Sequence, residues 1–596
     1  MIFYKRFLVT TALEDTWPVD NSPVLFLGEW CRLYSKKSSW ENLDSIVAPY
    51  HWDDRQKLHK DYLYLQSLYE VLLKQLASQL NELHKVDHSL RYWRILIGPW
   101  LGYFIQMLFD RSVMLQQVLH KYDISHVRVI RRSEGELVPN DMAEFSSLFS
   151  NDHWNEFIYG QILGFMGVQC NKVDIKNYIS KSPKRLVIVT PARRLKRIFA
   201  GVLSRVSGTF RSNNQYFFIA SYLGKWNELL IQMKLRQLPK FWSSFVVPDN
   251  TFDSAQRQWL MPRFEDIDEF SKLAIALIPM NIPKAYIEGY KKLVVLTESL
   301  PWPKKPKSIF TSNSWCSDDV FKAWSAKKAE SGSPLIIGQH GGNYGMASWS
   351  FTEDHQIEIA DQFISWGWKK SGYKNISPVG NFKDFGKKKL SSCKGGVALM
   401  VEMTMPRQSY HMYSVPVATG QWLEYFEDQC CFVSALPEVL HDQLLVRLLS
   451  IDYELSQRQR WLDKFPNIRL DEGVKPMAEL LDNTRLYIST YNATTYLESL
   501  SRNLPTIIFW NPKHWELQDT AIPYFEKLRS VGIFHDTPQS AAHQMAAVWN
   551  DVGSWWESAE VQSVRMDFCD RYSRFPPKPL NIMARLFRQV AADSDA

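Results

Sequence analysis

The segment RLYISTYNATTYLESLSRNLPTIIF, residues 485–509, decides the fold. RLYIST is a short apolar run and reads as a buried strand ending in Ser489 and Thr490. TTYLESLSRN follows with helical spacing and opens at Asn492, Thr494 or Thr495, and Pro505 starts the next strand, PTIIFW. Ligands of open parallel sheets bind beyond the carboxyl ends of the strands. A helix start there, with free N–H groups and hydroxyls, is an anion site. Ser489, Asn492, Thr494, Thr495 and Glu498 are therefore candidate phosphate-side residues. Ordinary helix capping by Ser, Thr or Asn is the competing reading.

The same rhythm extends outward in both directions. Downstream of the Lys- and Gly-bearing linker KDFGKKKLSSCKGG (383–396), VALMVEM (397–403) reads as a strand. HDQLLVRLLS reads as helical, PNIRLDEG as strand and turn, and MAELLDN as a helix. Upstream, SIFTSN (308–313) and PLIIGQHGG (334–342) are strands flanking the helix DDVFKAWSAKKAES, and ADQFISWGW is another short strand. Nearer the start, FLVTT (7–11), VLFL (24–27), HVRVI and RLVIVT (185–190) are strand-like. Residues 62–84 form an amphipathic helix, 91–117 a buried helical region, and 252–290 a helical region. The expected class is α/β, with two doubly wound parallel sheets and an enlarged, helix-rich N-terminal half.

Length and charge bound the function. The chain has 596 residues, which implies more than one core. It is 45% apolar and 22% charged, which excludes global disorder. The net charge of +7 is too dilute to argue for nucleic-acid binding. Its local content is 192–211, where six basic residues and no acid alternate with apolar ones. That stretch reads either as a solvated helix face or as a surface resting on anionic lipid. Seven scattered cysteines without ligand spacing indicate free thiols in a reducing compartment. The N-terminus lacks a signal-peptide pattern, and the most apolar window, 95–109, is short and broken by Gly98, Pro99 and Gly102. A cytoplasmic protein is expected, peripheral on the inner membrane if 192–211 docks there.

The remaining candidates follow other strand-like runs. Glu14 and Asp15 come after the first strand, Glu29 after the second, and Gln339, His340, Gly341 and Gly342 after PLIIG. Glu402–Arg407 (EMTMPR) follows VALMV. Glycines allow a ligand to approach the backbone, and His340 can act as base or hydrogen-bond a phosphate, although a lone His is commonly structural. No P-loop, GxGxxG, HExxH, EF-hand loop or GxSxG is present, so no metal and no cofactor is expected.

Several blocks carry a resemblance: TTALEDTWP and FLGEW near the start, RYWRILIGPWL, QHGG with WGW, SPVGNF (377–382) and STYNATTYLES. Together they resemble the GT-B glycosyltransferases, and within them the surface-polysaccharide transferases of bacterial O-antigen loci. More distantly the chain looks like the capsule-type Kdo transferases and the UDP-GlcNAc 2-epimerase group. The resemblance implies two Rossmann-like domains facing a cleft. Residues 1–385 would form the acceptor side, 386–560 the nucleotide-sugar side, and 561–596 a helix returning to the N-terminal domain. It implies that Glu498, seven residues before Pro505, holds ribose hydroxyls, with Asn492 and Thr494 facing the donor phosphate. The Glu402–Arg407 loop would lie near that phosphate. Arg407 is then the natural phosphate clamp, because a guanidinium pairs bidentately with phosphate oxygens. The epimerase group's doubled Gly and doubled Glu are here Asn-Ala-Thr-Thr and a single Glu498.

The function implied is transfer of a sugar to a lipid-linked glycan acceptor in lipopolysaccharide, O-antigen or capsule biosynthesis. The likeness to Kdo transferases favours a CMP-activated ulosonic acid, Kdo or a nonulosonate, as co-substrate. Glu14, Asp15 or Glu29 would supply the catalytic carboxylate, and His340 an acid/base or orienting group. Gln339, Gly341 and Gly342 would line the acceptor side of the cleft. A nucleotide-sugar epimerase on the same fold and a non-catalytic assembly scaffold are the alternatives.

Overall fold

The structure, a computed structural model, describes residues 5–175, 214–259, 261 and 267–595. The expected strand at 185–190 and the basic stretch at 192–211 lie outside them. The described strands form three sheets rather than two, and every pairing between named strands is parallel.

The first sheet has the order β3-β2-β1-β4-β5, from β1 (Arg6–Val9), β2 (Val24–Phe26), β3 (Ser45–Val47), β4 (Ile124–Ile130) and β5 (Asn171–Val173). Between β3 and β4 run α1 (Arg55–His84) and α2 (Leu90–Lys121). Asp54 starts α1 by accepting from the N–H groups of Gln56 and Lys57, and Lys85 ends it in the left-handed region. α2 is apolar around most of its circumference, with Trp93, Leu96, Trp100 and Leu101 fully buried. It needs neighbours on all sides. It finds them in α1, in α3 (Asp152–Phe165), and in helices Asp319–Glu330 and Phe351–Ile359 of the next sheet.

The second sheet runs β10-β9-β8-β7-β6, from β6 (Tyr216–Ile219), β7 (Ser308–Thr311), β8 (Leu335–Gly338), β9 (Gln362–Ser365) and β10 (Ile376–Pro378). The enlarged N-terminal half thus owes part of its size to a second sheet. Its sequence signal, YFFI at 216–219, sits just beyond the basic stretch. α4 (Lys225–Lys234) follows β6, and α5 (Phe351–Ile359) follows the loop after β8. Of the described residues in 252–290, expected to be helical, only Glu269–Asn281 forms an α-helix ahead of the one beginning at Tyr290.

The third sheet has the order β13-β12-β11-β14-β15-β16, from β11 (Val397–Val401), β12 (Leu444–Arg447), β13 (Arg469–Asp471), β14 (Thr484–Ser489), β15 (Thr506–Phe509) and β16 (Phe534–His535). The stretch expected to be the helix HDQLLVRLLS is a short 3-10 turn followed by β12, paired in register with β11. A short apolar run does not separate helix from strand by periodicity. α6 (Thr419–Ala435) and α7 (Thr494–Ser501) follow β11 and β14. α8 (Ala559–Tyr572) packs on α7, and the chain then crosses to the second sheet, where Arg574 N–H donates to the Trp366 carbonyl (2.8 Å). In α9 (Pro579–Asp595), Phe587 packs on Phe218 and Phe310 of β6 and β7. Among the described residues no helix is long and apolar enough to cross a membrane, and all seven cysteines are free.

Candidate active site

The loop after β8 and the start of α7 meet at the junction of the second and third sheets. Gln339 is fully buried and pins the loop. Its side-chain oxygen accepts from Trp366 N–H (2.9 Å) and Trp368 Nε1–H (2.8 Å), and its nitrogen donates to the Gly341 carbonyl (2.8 Å). It shapes the loop from inside rather than lining the cleft. Gly342 N–H donates to Thr494 Oγ1 at 2.9 Å. A Cβ on Gly342 would stand 2.1 Å from the Ala493 carbonyl group, so only glycine permits this approach.

α7 begins without a side-chain cap, because its N-cap is Ala493. Its first N–H groups have no intrahelical carbonyl to meet, and the Thr494 nitrogen lies beside Gly342, 2.6 Å from where a Cβ there would stand. The flanking hydroxyls and amides are ordered around them. Asn492 Oδ1 accepts from Tyr496 OH (2.9 Å), and Ser489 Oγ donates to the Tyr491 carbonyl (3.2 Å). Thr495 Oγ1 stands 3.5 Å from Tyr491 OH. One turn on, Glu498 pairs with Lys383 (3.0 Å) and more loosely with Lys387 (3.9 Å).

His340 faces this same corner, enclosed by the rings of Tyr222, Trp315 and Tyr344. Burial, reinforced by the positive charge of Lys383, lowers its pKa to about 4. Its imidazole is therefore uncharged at neutral pH. Tyr344 OH lies 3.4 Å from Nδ1 and is itself held by Gln356 (2.6 Å) from α5. The structure thus brings together His340, Gly341, Gly342, Asn492, Thr494, Thr495 and Glu498. It adds Lys383, Tyr222, Tyr344 and Gln356, which sequence reasoning missed. Lys383 was concealed as the first residue of a linker, and Tyr222 has a positive φ of 59° that no local motif announces.

The other expected residues gather elsewhere, at the junction of the first and third sheets. Arg407 is buried (4% exposed), and its guanidinium donates to Asp152, to Glu454 (2.7 Å) and to the Trp30 carbonyl. Its donors are occupied, so a free phosphate clamp is not what this residue presents. Glu402 is also buried, with Oε2 accepting from Trp461 Nε1–H (3.0 Å). Burial pushes its carboxyl up to about 8, with Asp452 adding to the rise, so at neutral pH it is mostly protonated. Glu29 is bidentate to Arg32 (2.5 and 2.6 Å), and Glu14 pairs with Lys36 (3.0 Å). Asp15 is exposed in the same 3-10 turn as Glu14. Among the described residues no hydrogen bond or ion pair joins Glu14, Asp15, Glu29, Glu402 or Arg407 to the His340 group.

Asp-x-Asp triplets stand at 266–268 and 593–595. Asp268 caps the helix Glu269–Asn281. No group of three or more His, Cys, Asp or Glu side chains is arranged for a metal ion among the described residues.

The family described as "LIC12162 family transferase" matches residues 6–587. No protein of curated function matches the chain. Among solved structures, a putative UDP-N-acetylglucosamine 2-epimerase from Listeria monocytogenes is 12% identical, with 59% of this chain and 90% of that one covered, at a TM-score of 0.34. Acinetobacter baumannii MurG is 10% identical, covering 65% and 95%, at 0.29. The spinosyn rhamnosyltransferase SpnG is 12% identical, covering 50% and 76%, at 0.29. None of these structural likenesses bears on what the chain does.

Proposed function

The chain belongs to the LIC12162 family of transferases and is an enzyme; from that premise we propose that it is a glycosyltransferase whose nucleotide-sugar donor sits between the Gly341–Gly342 loop and the start of α7. The observation that carries this reading is the Gly342–Thr494 contact, which sets an uncapped helix N-terminus against a glycine loop and a half-buried histidine. That combination suits a phosphate leaving group. The helix end supplies N–H donors and a favourable dipole, Thr494 and Thr495 add hydroxyls, and the glycines admit the ligand to the backbone. Glu498 would hold ribose hydroxyls, exchanging its contact with Lys383 for them.

His340 is the group nearest the transfer. Its unprotonated imidazole is free to take a hydrogen bond from the acceptor hydroxyl. An anionic donor placed beside it raises its pKa, because a nearby negative charge favours the imidazolium, and moves it toward the working pH. With Glu14 and Glu29 held in ion pairs at the other junction, His340 takes the acid/base role in this proposal.

The donor we favour is a CMP-activated ulosonic acid, Kdo or a nonulosonate, since one helix N-terminus matches one phosphate. The acceptor is then a lipid-linked glycan of surface polysaccharide, O-antigen or capsule, and the reaction needs no cofactor beyond the co-substrate. Peripheral contact with an anionic inner membrane is supported by the surface of α4 and the segment after it. Trp226 (70% exposed), Met233, Leu238 and Phe241 stand out there among Lys225, Lys234 and Lys240.

The test is nucleotide release. The full chain is incubated with CMP-, UDP- and GDP-activated sugars and a lipid-linked or synthetic acceptor. Acceptor-dependent release of CMP is expected. Release from none of the panel overturns the reading, and release of UDP or GDP alone overturns the donor assignment.

A further inference from the structure

Beside α5 lies a cavity of about 440 Å³, which the reading above does not use. Its walls come from all three parts of the chain: Gln66 and Arg94 on α1 and α2, Trp349 and His355 on the β8–α5 segment, Lys370 after β9, and Gln518 from the third-sheet region. The volume falls within the usual range for small-molecule sites.

The lining mixes polar and apolar side chains. His355 is 3% exposed, and neither ring nitrogen has a partner in the protein. The indole N–H of Trp349 is likewise buried and unpartnered. Buried polar atoms are normally hydrogen-bonded, but less than 1 Å² of each of these is accessible, so it is the other polar side chains of the lining that would meet a ligand. Around them donors and acceptors alternate. Asp354 accepts from Gln66 (2.7 Å) and from Lys370 (3.1 Å), and Glu353 accepts from Gly345 N–H (2.8 Å). Hydroxyl groups, which both donate and accept, answer such a lining better than any ligand that only does one.

Charge narrows the class further. Four carboxyl groups, Glu70, Glu353, Asp354 and Glu358, line the cavity against the two cations Arg94 and Lys370. Arg94 is already held by Glu70 (2.5 and 2.6 Å), and Lys370 by Asp354. A phosphate or carboxylate would meet an excess of like charge. The mouth exposes Leu63 and Tyr373, an apolar edge against which the flat face of a sugar ring can rest.

We propose that this cavity is a carbohydrate site holding an uncharged sugar ring of the acceptor glycan, an assignment that rests on the glycosyltransfer proposed above. Its position gives it a role beyond retention. Glu353 binds the backbone of the loop that carries His340, while Gln356, on the same helix, holds Tyr344 against His340. A remote acceptor ring bound here would steady the loop that presents the reacting group.

The assignment is tested by saturation-transfer NMR on the full chain with glucose, galactose, N-acetylglucosamine and rhamnose. His355→Phe enlarges a side chain of the floor; Gln66→Ala, at a half-buried position, opens the wall. Melting temperature reports whether each variant folds, and Gln66→Ala carries the test alone if His355→Phe does not. At least one sugar is expected to give saturation transfer that falls at least tenfold in each folded variant. If no sugar of the panel binds, or if binding survives the folded variants, the assignment is overturned. Sugar binding that the variants abolish, in a protein that turns over no activated sugar, supports the cavity and removes the transfer reading. Turnover without sugar binding removes the cavity alone.

Discussion

Arg407, at the junction of the first and third sheets, is enclosed by Asp152, Glu454 and the Trp30 carbonyl. At the junction of the second and third sheets, the Gly342–Thr494 hydrogen bond spans a glycine loop and an uncapped helix. Both places follow strand ends of parallel sheets, where ligands bind. The first has its charges neutralised by protein and buried, which suits a fixed joint. The second leaves N–H groups, hydroxyls and an uncharged imidazole facing one another, which suits an exchangeable anion. The contrast teaches that an arginine's availability is decided by its partners and not by its position after a strand.

The largest expected effect breaks the closed junction. Asp152→Ala strips Arg407 of its buried partner, and removing one member of a buried ion pair costs about 3–5 kcal/mol. Urea unfolding should show that loss while nucleotide affinity is unchanged; a variant of wild-type stability would mean the joint is not structural. Glu402 sharpens the same side. Its folded pKa, about 8, is raised above that of an ordinary carboxyl, so the stability it contributes is complete below about pH 4.5 and declines as pH rises toward 8. The slope reaches at most about 1.4 kcal/mol per pH unit. Glu402→Gln should flatten that decline in melting curves taken from pH 5 to 8, and an unchanged slope would assign it to another group.

At the open junction the effects fall on activity. Gly342→Val places carbon into the Ala493 backbone and forces the loops apart, so kcat/KM should drop about 100-fold, as misplacement by an ångström does. Thr494→Val is milder. It removes one hydroxyl from the contact and should raise the donor KM about tenfold with little change in melting temperature. Equal activity losses from Asp152→Ala and Gly342→Val, each in protein that remains folded, would erase the distinction between the two junctions.

Much of this was legible in the sequence, for physical reasons that also mark where reading fails. PLIIGQHGG and RLYISTYNATT announced themselves because a buried parallel strand is a continuous apolar run, and polar residues at its end are conspicuous. Their meeting was not legible, since Gly342 and Thr494 are 152 residues apart and only packing joins them. Arg407 misled for the same reason, because its partner Asp152 lies 255 residues away. β12 was hidden in a run of leucines compatible with helix or strand. The second sheet went unrecognised as a separate one because the sequences of β7, β8 and β9 mark them as strands without saying which sheet they join.

Hydrogen exchange of the backbone amides, followed while CMP is titrated into the full chain, tests the central claim most directly. The account predicts slowed exchange in peptides covering 339–345 and 491–497, with none in those covering 150–153 and 404–409. Protection around Arg407 with no change at the start of α7 would contradict it.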